Sequence, residues 1–455
     1  MKKTRIVFAA VAAFICGSLS TADPKGLPQL SLVATYDTGL GANGSEIISV
    51  RHTDGIAALT NIAGSVDVLD LSDPFQPQLL HRVDVVTDTA QNGTPNSVAV
   101  HPQHDYFLVV IGKAGATGSV AAYRLSDGAS LASAPVGIQP DSIAIAPNGQ
   151  YAVVANEAEG AGLGQDGGYG SLSVVDLTGF NSVAPSPLLV TNVALPSAAG
   201  VLGFSSGRTD DIARLPVDNT PGTLEPESVA FTKDSRFAYI TLQENNGVVR
   251  LDLHTLELTY FGLGQTTHDA DLVVDGSYNP VNALTAYREP DGIALDQTGR
   301  FFVTADEGDT RNAAGGSGPR GGRTVSVFDA RTGVLLGDTD SQLDDAAAVG
   351  GIYPDGRSNR GGAEPEGLDL THHRGMTLVA IGLERANAVA LIDVSNPVTP
   401  TVIDVIDLVP VGSGPEGIKF FRRGEHLFVA AANEVSGTVS LLEVVFPERS
   451  GHLSL

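Results

Sequence analysis

The sequence predicts an all-β protein, a seven-bladed β-propeller of four-stranded antiparallel blades. One unit recurs seven times along the chain, and its apolar residues alternate with the period of half-buried strands. The runs are separated by clusters drawn from 53 Gly and 25 Pro together with Asn and Asp, which is the punctuation of tight turns.

Each unit opens on a short turn carrying an acidic residue or Asn, often after Pro. An apolar strand, a polar turn and a second apolar strand follow. A Gly/Asn-rich turn then leads to a third strand of the form GxVxVxDL. The clearest copy is PESVAFTKDSRFAYITLQENNGVVRLDL from Pro226; others start at Pro95, Pro140, Pro290, Pro365 and Pro415, and a degenerate one at Glu46. In the clearest copy Val229 and Phe231, then Phe237, Tyr239 and Thr241, then Val249, Leu251 and Leu253 take alternate positions. Four-stranded units of this kind cannot bury both faces alone. Radial stacking buries them and leaves only short edges, whereas the rungs of a linear β-solenoid are far shorter than these units. Residues 30–36 are expected to close the ring by pairing with residues 439–444.

The copies begin 45 to 86 residues apart, where a bare blade needs about 40 to 50. The excess falls in residues 160–170, 181–224, 266–288, 312–323 and 338–363. These are rich in Gly, Ser, Asp and Asn and are read as loops leaving one face of the disc.

The N-terminus reads as a secretory signal peptide over residues 1–22: Lys2, Lys3 and Arg5, an apolar run over residues 6–15, then small residues with cleavage after Ala22. Residues 23–455 are then one propeller domain, exported to the periplasm or the medium and expected to be a monomer. The apolar run is too short to cross a bilayer and no later segment is suited to it, so no membrane span is expected. Cys16 is the only cysteine and falls in the leader, which excludes disulfide and thiolate chemistry from the mature chain. With 52 Asp and Glu against 27 Lys and Arg, the chain repels nucleic acid and anionic lipid and attracts cations. There is no Trp, which counts against a carbohydrate-stacking site.

The phrases EPESVAFTKDSRFAYITLQENN, EPDGIALDQTGRFFVTADEGDTR, GGAEPEGLDL and PEGIKF together resemble the choice-of-anchor I domain. That group comprises secreted or surface bacterial propellers, some described as alkaline-phosphatase-like. The resemblance implies the propeller and the export already read from the residues, and it does not settle the activity.

In an up-and-down blade the innermost strand leaves one face of the disc and the second returns to it. The start of the first and the end of the second therefore meet at one rim of the channel. This chain puts carboxylates in both places. Asp141 meets Glu157. Glu225 and Glu227 meet Glu244. Glu289 and Asp291 meet Asp306, Glu307 and Asp309. Glu364 and Glu366 meet Glu384, and Glu416 meets Glu434. Arg288, Arg311 and Arg385 fall among them. Carboxylates so close cannot all ionise unless protons, arginines or cations neutralise them, and oxygen-only clusters suit Ca²⁺ or Mg²⁺. Glu227, Glu244, Asp291, Glu307, Asp309, Glu366, Glu384, Glu416 and Glu434 are thus expected to share at least one Ca²⁺, with Asp141, Glu157, Arg311 and Arg385 completing the rim. The bland alternative is that acidic turn residues accept backbone N–H bonds and latch blade to blade.

Two functions fit: a binding or scaffold module for a protein partner, small-molecule ligand or divalent cation, or a Ca²⁺-dependent phosphoesterase of alkaline-phosphatase or phytase type. Other motifs are weak. His372 and His373 are expected to be exposed in a turn on the opposite face, and His268 belongs to an insertion. GGSGPRGG over residues 315–322 follows no strand–helix signal, and no nucleophile elbow or HExxH is present.

Overall fold

The alternation of apolar residues becomes seven antiparallel four-stranded sheets. They occupy residues 48–84, 94–138, 140–194, 226–262, 290–338, 365–407 and 415–445, here blades 1 to 7. The computed structural model describes residues 26–87, 92–113, 115–158, 170–195, 224–308 and 319–447. Innermost strands of consecutive blades lie side by side, and that of blade 7 returns to that of blade 1, so the ring is closed.

A period of two gives each blade one set of side chains for each neighbour. In the second strand of blade 4, Phe237–Leu242, the residues Ala238, Ile240 and Leu242 pack with Val153, Ala155 and Leu172 of blade 3. Tyr239 points the other way, against Ile293, Phe302 and Phe328 of blade 5. Such a core recurs at each of the seven blade interfaces. This is why Val, Ile, Leu and Ala dominate both faces of the middle strands.

Blade 7 takes its outermost strand from the N-terminal end. Gln29–Asp37 pairs antiparallel with Thr438–Val445, from Gln29 opposite Val445 to Asp37 opposite Thr438. The expected closure of the ring by residues 30–36 is therefore observed.

Three insertions hold more structure than their composition suggested. Residues 181–224 include Leu189–Ala194, the outermost strand of blade 3. Residues 266–288 lie within a separate hairpin, Gln265–Ala270 paired with Asn282–Tyr287. Its first strand buries only Thr266, His268 and Ala270, a mixed set that lacks the Val/Ile signature of a strand. Residues 338–363 contain a helix, α1 (Gln342–Val349), which buries Leu343, Ala346 and Ala347 in the core between blades 5 and 6. Because strands alternate in direction, the hairpin and the α1 segment leave the face on which the innermost strands begin, whereas residues 181–188 join the third and fourth strands of blade 3 on the opposite face.

Candidate functional site: an acidic channel mouth

The head of each innermost strand carries, in blade order, Glu46, Asn96, Asp141, Glu227, Asp291, Glu366 and Glu416. In blades 2 to 7 a proline stands just before this residue and cannot donate to the sheet ladder. The register shifts at that point in all six blades. A bulge of this kind re-aims a side chain, and here it turns the carboxylates toward the channel. The residue ahead of the proline takes a left-handed conformation at Gln139, Glu289 and Glu364, with φ of 46°, 47° and 54°. Gly follows the carboxylate where neighbouring strands touch: a Cβ on Gly367 would lie 1.7 Å from the Glu416 carbonyl oxygen. Only glycine fits there.

The channel has a volume of about 440 Å³, and Glu46, Asp141, Asp291, Glu307, Glu366 and Glu416 are among its lining residues, with Lys419 further along. A second tier, Glu157, Glu244, Glu307, Glu384 and Glu434, comes from the ends of the second strands of blades 3 to 7. Amides hold some of these. Gln139 Nε2 donates to Glu157 Oε2 at 2.7 Å, Gln243 Nε2 to Glu307 Oε2 at 2.8 Å, and Asn43 Nδ2 to Glu434 Oε1 at 2.7 Å. Arg385 bridges Glu384 Oε1 at 2.5 Å and Glu364 Oε2 at 2.7 Å.

The two tiers converge in two triads. Carboxylate oxygens of Glu157, Glu227 and Glu244 all lie within 4.8 Å of one another, as do those of Glu366, Glu384 and Glu416. Burial is the main cause of a rise in carboxyl pKa here, and neighbouring carboxylates add to it. It lifts Glu227 and Glu366 well above the usual range, with Glu244 the chief neighbour of the first and Glu307 of the second. Glu416 is pushed up to about 10 by burial and then by Glu434, and Glu46 to about 8 by burial and then by Asp141 and Glu434. Glu384 is also raised by burial, against the pull of Arg385.

Several sequence expectations need correction. Arg288 is not at the rim: its guanidinium is buried outside the channel between Asp306, 3.5 Å away, and Asp338, 2.9 Å away. Asp306 also turns away from the channel and accepts from Thr304 and Thr324, because strand alternation sends it to the face opposite Glu307. Glu364 likewise faces Arg357 and Arg385. His372 and His373 end a strand rather than forming a turn. His372 Nε2 lies 2.7 Å from Asp296 Oδ1, and His373 is buried against the Phe446 ring. His268 is buried, with Nε2 2.9 Å from the Gly322 carbonyl oxygen. Asp309 and Arg311 lie outside the described residues, as do residues 1–22.

Sequence reasoning missed Glu46 as a mouth residue. Aligning the degenerate copy with the others on its strand positions, rather than on the absent proline, would have found it.

These features define a class: a seven-bladed β-propeller with an acidic channel mouth. The chain belongs to the choice-of-anchor I domain family, whose description it matches over residues 46–317 and 319–397. No curated protein matches it. Among solved structures it is similar in fold to hydrazine synthase from Kuenenia stuttgartiensis, at 14% identity and TM-score 0.55, covering 96% of this chain and 100% of that one. It is also similar to the β-propeller domain of Cps50 (Swd1) from Myceliophteria thermophila, at 10% identity and TM-score 0.54, covering 91% and 100%. Among the described residues no helix is long and apolar enough to cross a membrane.

Proposed function

We propose that this protein is an exported binding propeller whose acidic channel mouth takes up divalent cations, Ca²⁺ foremost. The observation that carries the reading is the convergence of carboxylates from the innermost strands on one mouth: Glu46, Asp141, Asp291, Glu366 and Glu416 line it, and Glu227 lies near Asp141 and Asp291. Hard carboxylate oxygens without nitrogen or sulfur partners favour Ca²⁺ or Mg²⁺ over transition metals. Export rests on the leader sequence and, together with extracellular calcium, fits this choice. The hairpin over residues 265–287 and the α1 segment leave the same face and supply surface for a protein or small-molecule partner.

Protein purified from the periplasm or medium, stripped with chelator and then given Ca²⁺, should melt at a higher temperature in proportion to affinity and free ion. Equal melting temperatures in Ca²⁺ and in chelator would leave the carboxylates as latch residues. A generic phosphoester assayed beside it decides the alternative. A phosphoesterase needs the same cation to reverse the sign of this mouth, so calcium-dependent turnover would replace the binding reading.

A further inference from the structure

We propose that the mouth contains two separate divalent-cation sites rather than one shared ion. One is Glu157, Glu227 and Glu244 between blades 3 and 4; the other is Glu366, Glu384 and Glu416 between blades 6 and 7. The inference rests on the cation reading above and sharpens it. The two triads lie across the ring from each other, since the two interfaces are three blades apart in one direction and four in the other.

Distance is the first argument. Ca²⁺ binds oxygen at about 2.3–2.6 Å, so oxygens of one coordination sphere are at most about 5 Å apart. Within each triad the three oxygens meet that limit. Among the described residues, no group within it combines members of both triads.

Unsatisfied oxygens are the second argument. Glu227 and Glu384 are only 8% and 4% exposed, and among the described residues Oε2 of each is buried without a hydrogen-bond partner. A buried carboxylate oxygen left unpaired is costly. A cation within each triad satisfies it, and each triad has at least one such oxygen of its own.

The sites differ in charge. Arg385 Nη1 lies 2.5 Å from Glu384 Oε1 and sets a fixed positive charge against the blade 6–7 triad. The carboxylates that act most strongly on Glu227 are Glu244, Glu157, Asp291 and Asp141. The blade 3–4 site is therefore the tighter of the two.

Calorimetric titration of the chelator-stripped full chain with Ca²⁺ should give two ions per chain with unequal affinities. E227Q should lose the tighter ion alone, E416Q the weaker alone, and the double variant both. Circular dichroism in chelator checks folding, and E157Q replaces E227Q should the latter not fold. A single ion lost in both single variants overturns the two-site proposal and leaves the cation reading standing. No binding in the wild type overturns both.

Discussion

The two rims of this disc are made by the same strands, yet they treat polar groups in opposite ways. On the rim away from the mouth, neighbouring blades satisfy one another. His101 is buried between blades 2 and 3, with Nε2 3.0 Å from the Gly149 carbonyl oxygen while Nδ1 accepts from the His104 N–H at 2.8 Å. Asn148 N–H donates to Ser235 Oγ across blades 3 and 4, and the Tyr239 hydroxyl to the Ala330 carbonyl across blades 4 and 5. Asp296 meets His372 across blades 5 and 6, and Arg423 donates to the Leu71 carbonyl across blades 7 and 1. At the mouth, carboxylates meet carboxylates. One rim is bridged by hydrogen bonds from blade to blade; the other gathers like charges, which the proposed cations would balance.

The comparison breaks most readily at Asp296. It is fully buried and accepts from Thr298 as well as meeting His372. Asp296→Ala should cost about 2–4 kcal/mol in urea denaturation, with calcium binding at the far rim unchanged. A loss of calcium binding would show that the rims are not independent.

Opposite pH limbs should follow from opposite shifts. At the mouth, the carboxyls of Glu46 and Glu416 are raised from 4.5 to about 8 and about 10. Their contribution is whole below pH 4.5 and is lost as pH rises through those values. In chelator, stability should fall between pH 5 and 8 by up to about 1.4 kcal/mol per pH unit for each group, and saturating Ca²⁺ should remove most of that slope. His101 behaves in the reverse sense. Burial lowers it from 6.5 to about 4, so its contribution is present above 6.5 and lost as pH falls toward 4. An acid limb of about 2–3 kcal/mol should appear in urea titrations at fixed pH and flatten in His101→Gln. An acid limb unchanged in that variant would assign it elsewhere.

The smallest effect separates the rims by one kind of substitution. In chelator at pH 8, Glu416→Gln should raise stability by about 1–2 kcal/mol, because the amide is neutral without the cost of holding a proton well above the ordinary carboxyl range. Glu425→Gln on the opposite rim, where the side chain is exposed, should stay within about 0.5 kcal/mol.

Sequence and structure agree where side-chain period and turn chemistry act together. Proline, then an acidic residue or Asn, then alternating apolar residues fixed the heads of six innermost strands, and the strand from Gln29 was legible as the closing one. Legibility failed where only tertiary packing decides. The strand Gln265–Ala270 carries Thr, His and Asp rather than Val or Ile, and α1 is a single short helix whose buried face is largely Ala. Side-chain direction was the other gap. Asp306 and Glu307 are adjacent in sequence, but one serves Arg288 and the other the channel. Glu46 escaped notice because Ser45, not proline, precedes it.

The strand Gln29–Asp37 has a consequence for the order in which this molecule assembles. Its partner, Thr438–Val445, lies at the other end of the described chain, so the first strand made is among the last to find its place. Until the final blade exists, the earliest segment is an unpaired edge, and the loop it must close is nearly the length of the protein. Six blades can stack in sequence from local contacts, but the circle itself is a single late event. A circular permutant that moves this strand to follow Val445 through a short linker turns that distant pairing into a local hairpin. Its refolding should be faster than that of the parent chain, while the pairing from Gln29 to Asp37 is kept.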